Sequence, residues 1–247
     1  MEQILADFRP LPLEKSMPQI PISNELPIDT GGTKSLGKRA YLHLREALVS
    51  GRLKPGDRIS VNALADSMNL SRTPVREAIS WLETDGLIAH EPSLGRVIAR
   101  LDHQMVNELT AVRIVLETAG VGMAAQNASA AEIELLQDML IIEKSLLEEP
   151  VKRTRHNLRF HDAVHRCAHN RYLNSTLQSL QSPMLLLGPA TAISPTRLKD
   201  AYAEHVQLVD AIARHDPAAA QEVITRHLVG GQRARISYLL KVSDDLI

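Results

Sequence analysis

The chain has 247 residues, 44% of them hydrophobic and 23% charged, with a formal net charge of −1 and a single cysteine. That composition suits a globular protein of two domains, and its near-neutral balance excludes a surface built throughout to hold a polyanion. Cys167 alone excludes an internal disulfide or a thiolate-cluster metal site and reads as a small buried apolar residue. The start carries no signal-peptide pattern and no apolar run is long enough to span a bilayer, so a cytoplasmic location without membrane contact is expected.

Residues 1–35 hold Pro10, Pro12, Pro18, Pro21, Pro27 and Gly31-Gly32 without a sustained period, which predicts an extended or disordered arm. From Leu36 the apolar positions Ala40, Leu42, Leu44, Ala47 and Leu48 mark a helix that stops near Gly51. Lys54-Pro55-Gly56-Asp57 then supplies a turn, and a short second helix spans about Val61 to Met68. A third helix follows Asn69-Leu70, with Ser71 as N-cap and Pro74 in the first turn, where a missing N–H removes no helical bond. Val75, Ala78, Ile79 and Leu82 give it one apolar face and Gly86 ends it. Short extended runs, Ile88 to Glu91 and Arg96 to Arg100, flank Pro92-Ser93-Leu94-Gly95 as a hairpin. Residues 36–101 thus form a small first domain, and it carries a modest basic excess between acidic flanks.

Beyond Leu101 the pattern predicts helices only, at about 103–126, 129–149, 151–169, 171–187, 194–214 and 217–243. Ser129 with Glu132 makes a capping box, and Ser194-Pro195 and Asp216-Pro217 each place a cap before a proline. Residues 102–247 are therefore expected to form an all-helical bundle, and the fold class is mainly α.

With the apolar face of the third helix turned to the core, Arg72, Thr73, Arg76 and Ser80 fall on the opposite stripe. The plain interpretation is a pair of surface arginines matched to nearby carboxylates. The sharper one is a helix set in the DNA major groove, where a guanidinium donates twice to guanine and first-turn N–H groups suit a phosphate. Helix, helix, turn, helix and two-stranded wing compose a winged helix-turn-helix, which favours the second.

LSRTPVREAISWLETDGLI, preceded by GRLKPGDRIS, resembles the signature of the GntR family of bacterial transcription regulators over about residues 38–100. The resemblance implies that Arg72, Thr73 and Arg76, with Ser71 opening the helix, approach bases and phosphates, and that Gly95 and its neighbour Arg96 lie in a wing tip near the minor groove. It departs at Val61, where the family usually has glutamate, and at Asn62. Trp81 is expected to pack at the edge of the small domain rather than stack on a base.

In HNLRFHDAVH, Asn157 and His161 lie one turn apart on one face, and His205 and His227 stand on later helices. Spacing alone leaves open whether these are surface and core residues or metal ligands. RIVLETAG, NLRFHDAVHRCAHNRYL and EHVQLVDAIARHDPAAAQEVITRHL resemble the motifs of the helical FCD effector domain of FadR-like members of the GntR family, over about residues 103–240. The resemblance implies that Asn157, His161, His205 and His227 bind a divalent metal (zinc, nickel or manganese) that holds a small carboxylate effector. Asn157 stands where aspartate is frequent, and a neutral carbonyl is the poorer ligand. His165 is expected to support the site, and Arg113 to meet the effector or to pair internally with Glu117. SPMLLLG, from Ser182, is expected to give the effector a mainly apolar wall. His43, His90, His103, His156, His169 and His215 read as surface or packing residues.

Three classes follow: a homodimeric regulator of a palindromic operator, most simply a repressor, controlled by a small organic acid; a metal-dependent enzyme; and a ligand-independent dimer that organises DNA. The absence of a motif-placed general base and of a strongly basic surface favours the first.

Overall fold

The computed structural model describes residues 33–187 and 194–244. In chain order the elements are α1 (Thr33–Val49), α2 (Val61–Met68), α3 (Arg72–Thr84), β1 (Ile88–Glu91), β2 (Gly95–Ile98), α4 (His103–Asn127), α5 (Ala130–Ser145), α6 (Pro150–Arg166), α7 (Arg171–Met184), α8 (Pro195–Ala213) and α9 (Pro217–Asp244). Among the described residues, no strand follows Ile98 and no helix is long and apolar enough to cross a membrane.

The predicted arm lies outside the described residues, except that α1 opens at Thr33 and so takes in three residues assigned to the arm. Thr33-Lys34-Ser35 are polar, and an apolar period cannot register a polar first turn. Leu42, expected on the apolar face, is 53% exposed, while His43 is buried in its stead. At about 100° per residue, positions 40, 43, 44 and 47 share a face and position 42 does not.

α1, α2 and α3 enclose a core of Ala40, Leu44, Leu48, Leu64, Val75, Ala78, Ile79 and Leu82, closed below by Leu87, Ile88 and Ile98. Each such large apolar side chain withdrawn from water contributes about 1.5–3 kcal/mol before the entropy of ordering it. β1 and β2 pair antiparallel with Ile88 opposite Ile98, and Arg58 adds a single bridge to Val97. Gly95 at the hairpin has φ +74°, a left-handed conformation that a side chain would strain. Trp81 stands edge-on to Tyr41 at the margin of this domain, as expected.

The second core gathers Val121, Leu136, Phe160, Val164, Leu208, Ile212 and Ile224 from α4, α5, α6, α8 and α9. Cys167 lies buried within it. α9 runs along α4, and at Gly122 the Gln221 side chain folds over the helix, its amide 2.5 Å from where a Cβ would stand. The expected caps form, since Ser129 and Glu132 make the reciprocal box, the Ser194 hydroxyl accepts from Arg197 N–H, and the Asp216 carboxylate accepts from Ala219 N–H.

The two cores meet through the end of α7. Pro183 has no N–H to donate, and the chain leaves the helix in three-residue turns, with N–H groups of Leu185, Leu186 and Leu187 donating to the carbonyls of Ser182, Pro183 and Met184. Leu185 and Leu186 enter the core of the first domain. Nearby, Arg155 of α6 pairs with Glu46 of α1, and the Ser182 hydroxyl lies 3.4 Å from the Asp85 carboxylate.

Candidate DNA-reading surface and effector cavity

The apolar stripe of α3 is buried through Val75, Ala78, Ile79 and Leu82, so Arg72, Thr73, Arg76 and Ser80 project outward. Among the described residues neither Arg72 nor Arg76 has an ion-pair partner. Ser71 occupies the N-cap with extended backbone, but its hydroxyl makes no capping bond, which corrects the expectation of an ordinary side-chain cap. The first-turn N–H groups therefore remain open to an outside acceptor. Arg96, by contrast, is held at 2.6 Å by Glu83 across the root of the wing, while Gly95 faces open space. Arg58 Nε donates to the Leu94 carbonyl and fixes the turn between the strands.

In the helical domain a cavity of about 130 Å³ is lined by residues of α4, α6, α8 and α9 with Met184 and Leu187. Arg113, Arg153, Arg197 and Arg235 contribute to its wall, as do Asn157, His161 and His227; among the described residues lining it none is acidic. The apolar wall expected from SPMLLLG is therefore half present. Met184 and Leu187 face the cavity, whereas Leu185 and Leu186 turn to the other core. The three-residue turns split the segment between two neighbours.

The structure brings His161, His205 and His227 together. One ring nitrogen from each lies within 4.8 Å of the others, and ring centroids are 4.7 to 5.2 Å apart. Asn157 lines the same cavity one turn before His161. His165 faces another way: its Nε2 is 3.3 Å from Glu117 Oε2, and His161 Nδ1 is 3.4 Å from that same oxygen. Arg113 makes the internal pair, at 2.7 Å from Glu117 Oε1, and still lines the cavity.

Burial lowers His161 to about 4, more than Glu117 restores, and burial together with His205 and His161 holds His227 well below the ordinary imidazole range. Both rings are therefore uncharged at neutral pH. Burial alone would raise the Glu143 carboxyl, but His205 and Arg153 outweigh it and hold it at about 2. Glu117 is likewise drawn well down against its burial by Arg113 and the two histidines. Burial, with Arg113 close by, lowers Arg235 to about 10. His205 Nε2 is buried without a hydrogen-bond partner, an arrangement that costs on the order of 1–3 kcal/mol unless something accepts or donates there. The uncharged rings of His161 and His227, together with the unsatisfied buried nitrogen of His205, are a donor set that suits a divalent ion such as zinc.

Of the histidines expected to be surface or packing residues, three have ordinary local partners. His156 Nε2 meets the Met139 carbonyl, His215 Nδ1 the Ala125 carbonyl, and His169 the Glu132 carboxylate. Sequence reasoning missed Glu143, Glu204, Arg153, Arg197 and Arg235. Only Arg197 and Glu204 left a trace, two turns apart on one face of α8; the others come together from separate helices.

Comparison with known proteins bears on both surfaces. Residues 36–98 match the model described as "Bacterial regulatory proteins, gntR family", and residues 108–230 match the FCD domain. The chain belongs to the GntR family and carries an FCD domain. Similar members include the HTH-type transcriptional regulator YdhC of Bacillus subtilis, 27% identical over 190 residues that cover 76% of this chain and 85% of the relative. The gluconate operon transcriptional repressor of the same organism is 26% identical over 185 residues, covering 71% and 72%. Among solved structures, Escherichia coli McbR/YncC superposes with a TM-score of 0.71 at 22% identity, covering 82% of this chain and 97% of that one, which establishes a shared fold. The chain is thus a transcriptional regulator of this family, and not an enzyme.

Proposed function

We propose that this regulator binds a palindromic operator as a homodimer in the cytoplasm, and that a small carboxylate in the arginine-lined cavity controls that binding. Arg72, Thr73 and Arg76 read base edges and phosphates from the major groove, and the open N–H groups after Ser71 receive a phosphate. Gly95 brings the wing close to the minor groove. Arg96, tied to Glu83, shapes the wing and reaches a phosphate only by leaving that pair. One head reads few base pairs, so two-fold symmetry is required for a specific site, and the exposed Val112 and Val115 of α4 offer apolar surface to a second copy.

The observation that carries the control is the double duty of the α7 end. Met184 and Leu187 line the cavity while Leu185 and Leu186 sit in the core of the head. An occupant that moves the first pair displaces the second, and a packed core does not absorb such a shift smoothly. Arg113 and Arg235 supply charge for an acid, and a divalent ion held by His161, His205 and His227, with the Asn157 oxygen as a weak fourth ligand, supplies more. Release from DNA, and so relief of repression, is the expected response.

The test selects a duplex from a random pool with the full chain, then measures its binding with and without a panel of small mono-, di- and tricarboxylates. At least one acid is expected to change the affinity, and the change should shrink in Leu186→Ala. An affinity unmoved by any acid, with or without zinc, would leave a ligand-independent DNA-binding dimer.

A further inference from the structure

Around the three histidines one arrangement of side chains occurs three times. Arg113 donates to Glu117 Oε1 at 2.8 Å through Nε, and Oε2 of that glutamate faces His161 Nδ1 at 3.4 Å. Arg153 donates to Glu143 Oε1 at 2.8 Å, and Glu143 Oε2 meets His205 Nδ1 at 2.8 Å. Arg197 donates to Glu204 Oε2 at 2.8 Å, and the same oxygen meets His227 Nδ1 at 2.8 Å. All three arginines line the cavity. Each chain draws on different helices: α4 and α6, then α5, α6 and α8, then α8 and α9. No local sequence rule produces the repetition.

An ionised carboxylate can only accept, so an Nδ1 hydrogen-bonded to it carries the proton, and in the neutral ring that a metal requires the lone pair then resides on Nε2. For His205 that nitrogen is the buried one without a partner. We propose that Glu117, Glu143 and Glu204 are positioning residues for a divalent cation: each fixes one histidine as the Nδ1–H tautomer with Nε2 turned to a common centre, and its arginine holds the glutamate in place. This rests on the reading of His161, His205 and His227 as an ion site.

The arrangement has a consequence for charge. Each guanidinium offsets its glutamate, so the ion meets three imidazoles with little net negative charge behind them, and much of its positive charge remains to attract an anion from the cavity. The three chains are not equally tight. Glu117 Oε2, His161 Nδ1 and His165 Nε2 are all buried without a formed hydrogen bond, so this chain must close by a few tenths of an ångström to act, and His165 competes for the same oxygen.

The test titrates the metal-free full chain with zinc against a chromophoric chelator. Relative to the parent, Glu204→Gln and Glu143→Gln should each weaken zinc binding about 10–100-fold, Glu117→Gln less, and His205→Ala more than any of them. Melting curves without zinc check that each variant is folded. Glu143 is fully buried against Arg153 and its variant can fail that check, so the parent labelled with ¹⁵N at histidine provides a second measurement. Long-range ¹H–¹⁵N correlations should report the Nδ1–H tautomer at His205 and His227 without metal. An Nε2–H tautomer at either, or glutamate variants that bind zinc like the parent while His205→Ala does not, would overturn the positioning role and leave the ion site standing. A parent that takes up no zinc at micromolar concentration would remove both.

Discussion

Two sets of arginines, one on α3 and one around the cavity, stand in opposite circumstances. Arg72 and Arg76 stand exposed on α3 without an ion-pair partner among the described residues, whereas Arg113, Arg153 and Arg197 are each locked to a glutamate, with side-chain exposures of 13%, 5% and 14%. A long cationic side chain left unpaired on a rigid stripe keeps its donors free for an external polyanion. One withdrawn from water must be paired, and its work is then internal. On the proposed reading, the same residue type serves recognition in one domain and organisation in the other.

The contrast breaks most visibly at Arg153. Arg153→Ala leaves the Glu143 carboxylate buried without its cation and should cost about 3–5 kcal/mol in chemical denaturation of the helical domain. A loss below about 1 kcal/mol, the range of an exposed pair, would show that burial does not set the difference.

Acid should act next. The metal-free unfolded chain protonates a histidine near 6.5, while burial delays protonation of His161 to about 4. Between these values the unfolded state binds more protons, so stability falls as pH drops from 6.5 towards 4, by about 3 kcal/mol for a shift of this size, and it is fully present above that window. His227 acts in the same direction. Denaturation curves of the metal-free chain that are flat across this range would mean that the rings are not protected from protons.

The smallest effects belong to the exposed pairs. Arg155→Ala removes the contact with Glu46 between the domains, and Arg96→Ala frees Glu83 at the wing; each should change stability by about 0.2–1 kcal/mol. A multi-kilocalorie loss from Arg155→Ala would promote that pair to a principal support of the domain junction.

How far the sequence could be read follows the range of each interaction. The buried stripe of α3, the Ser129–Glu132 box, the proline-started α8 and α9 and the hairpin around Gly95 all depend on residues a few positions apart, and all were legible. The convergence of His161, His205 and His227 came from a family resemblance, since nothing in their spacing demands it. Glu143 with His205 and Glu204 with His227 were invisible, because each pair joins different helices whose rotation only tertiary packing sets. The division of Leu185 and Leu186 from Met184 and Leu187 escaped notice too. It depends on how the chain turns after Pro183, and an apolar run cannot say which of two cores takes each residue.

The exposed stripe of α3 is where the proposed DNA reading is most open to test. The decisive measurement is the affinity of the Arg72→Ala/Arg76→Ala double variant for a duplex selected by the parent, set against a scrambled duplex at the same salt, with melting curves to confirm an unchanged fold. Each arginine that reads a base is worth about 1–3 kcal/mol, so the double variant should lose most of the preference for the selected duplex, roughly 30-fold or more, and keep the parent's stability within about 0.5 kcal/mol. A double variant that retains the parent's affinity and preference would contradict the assignment of α3 to the groove.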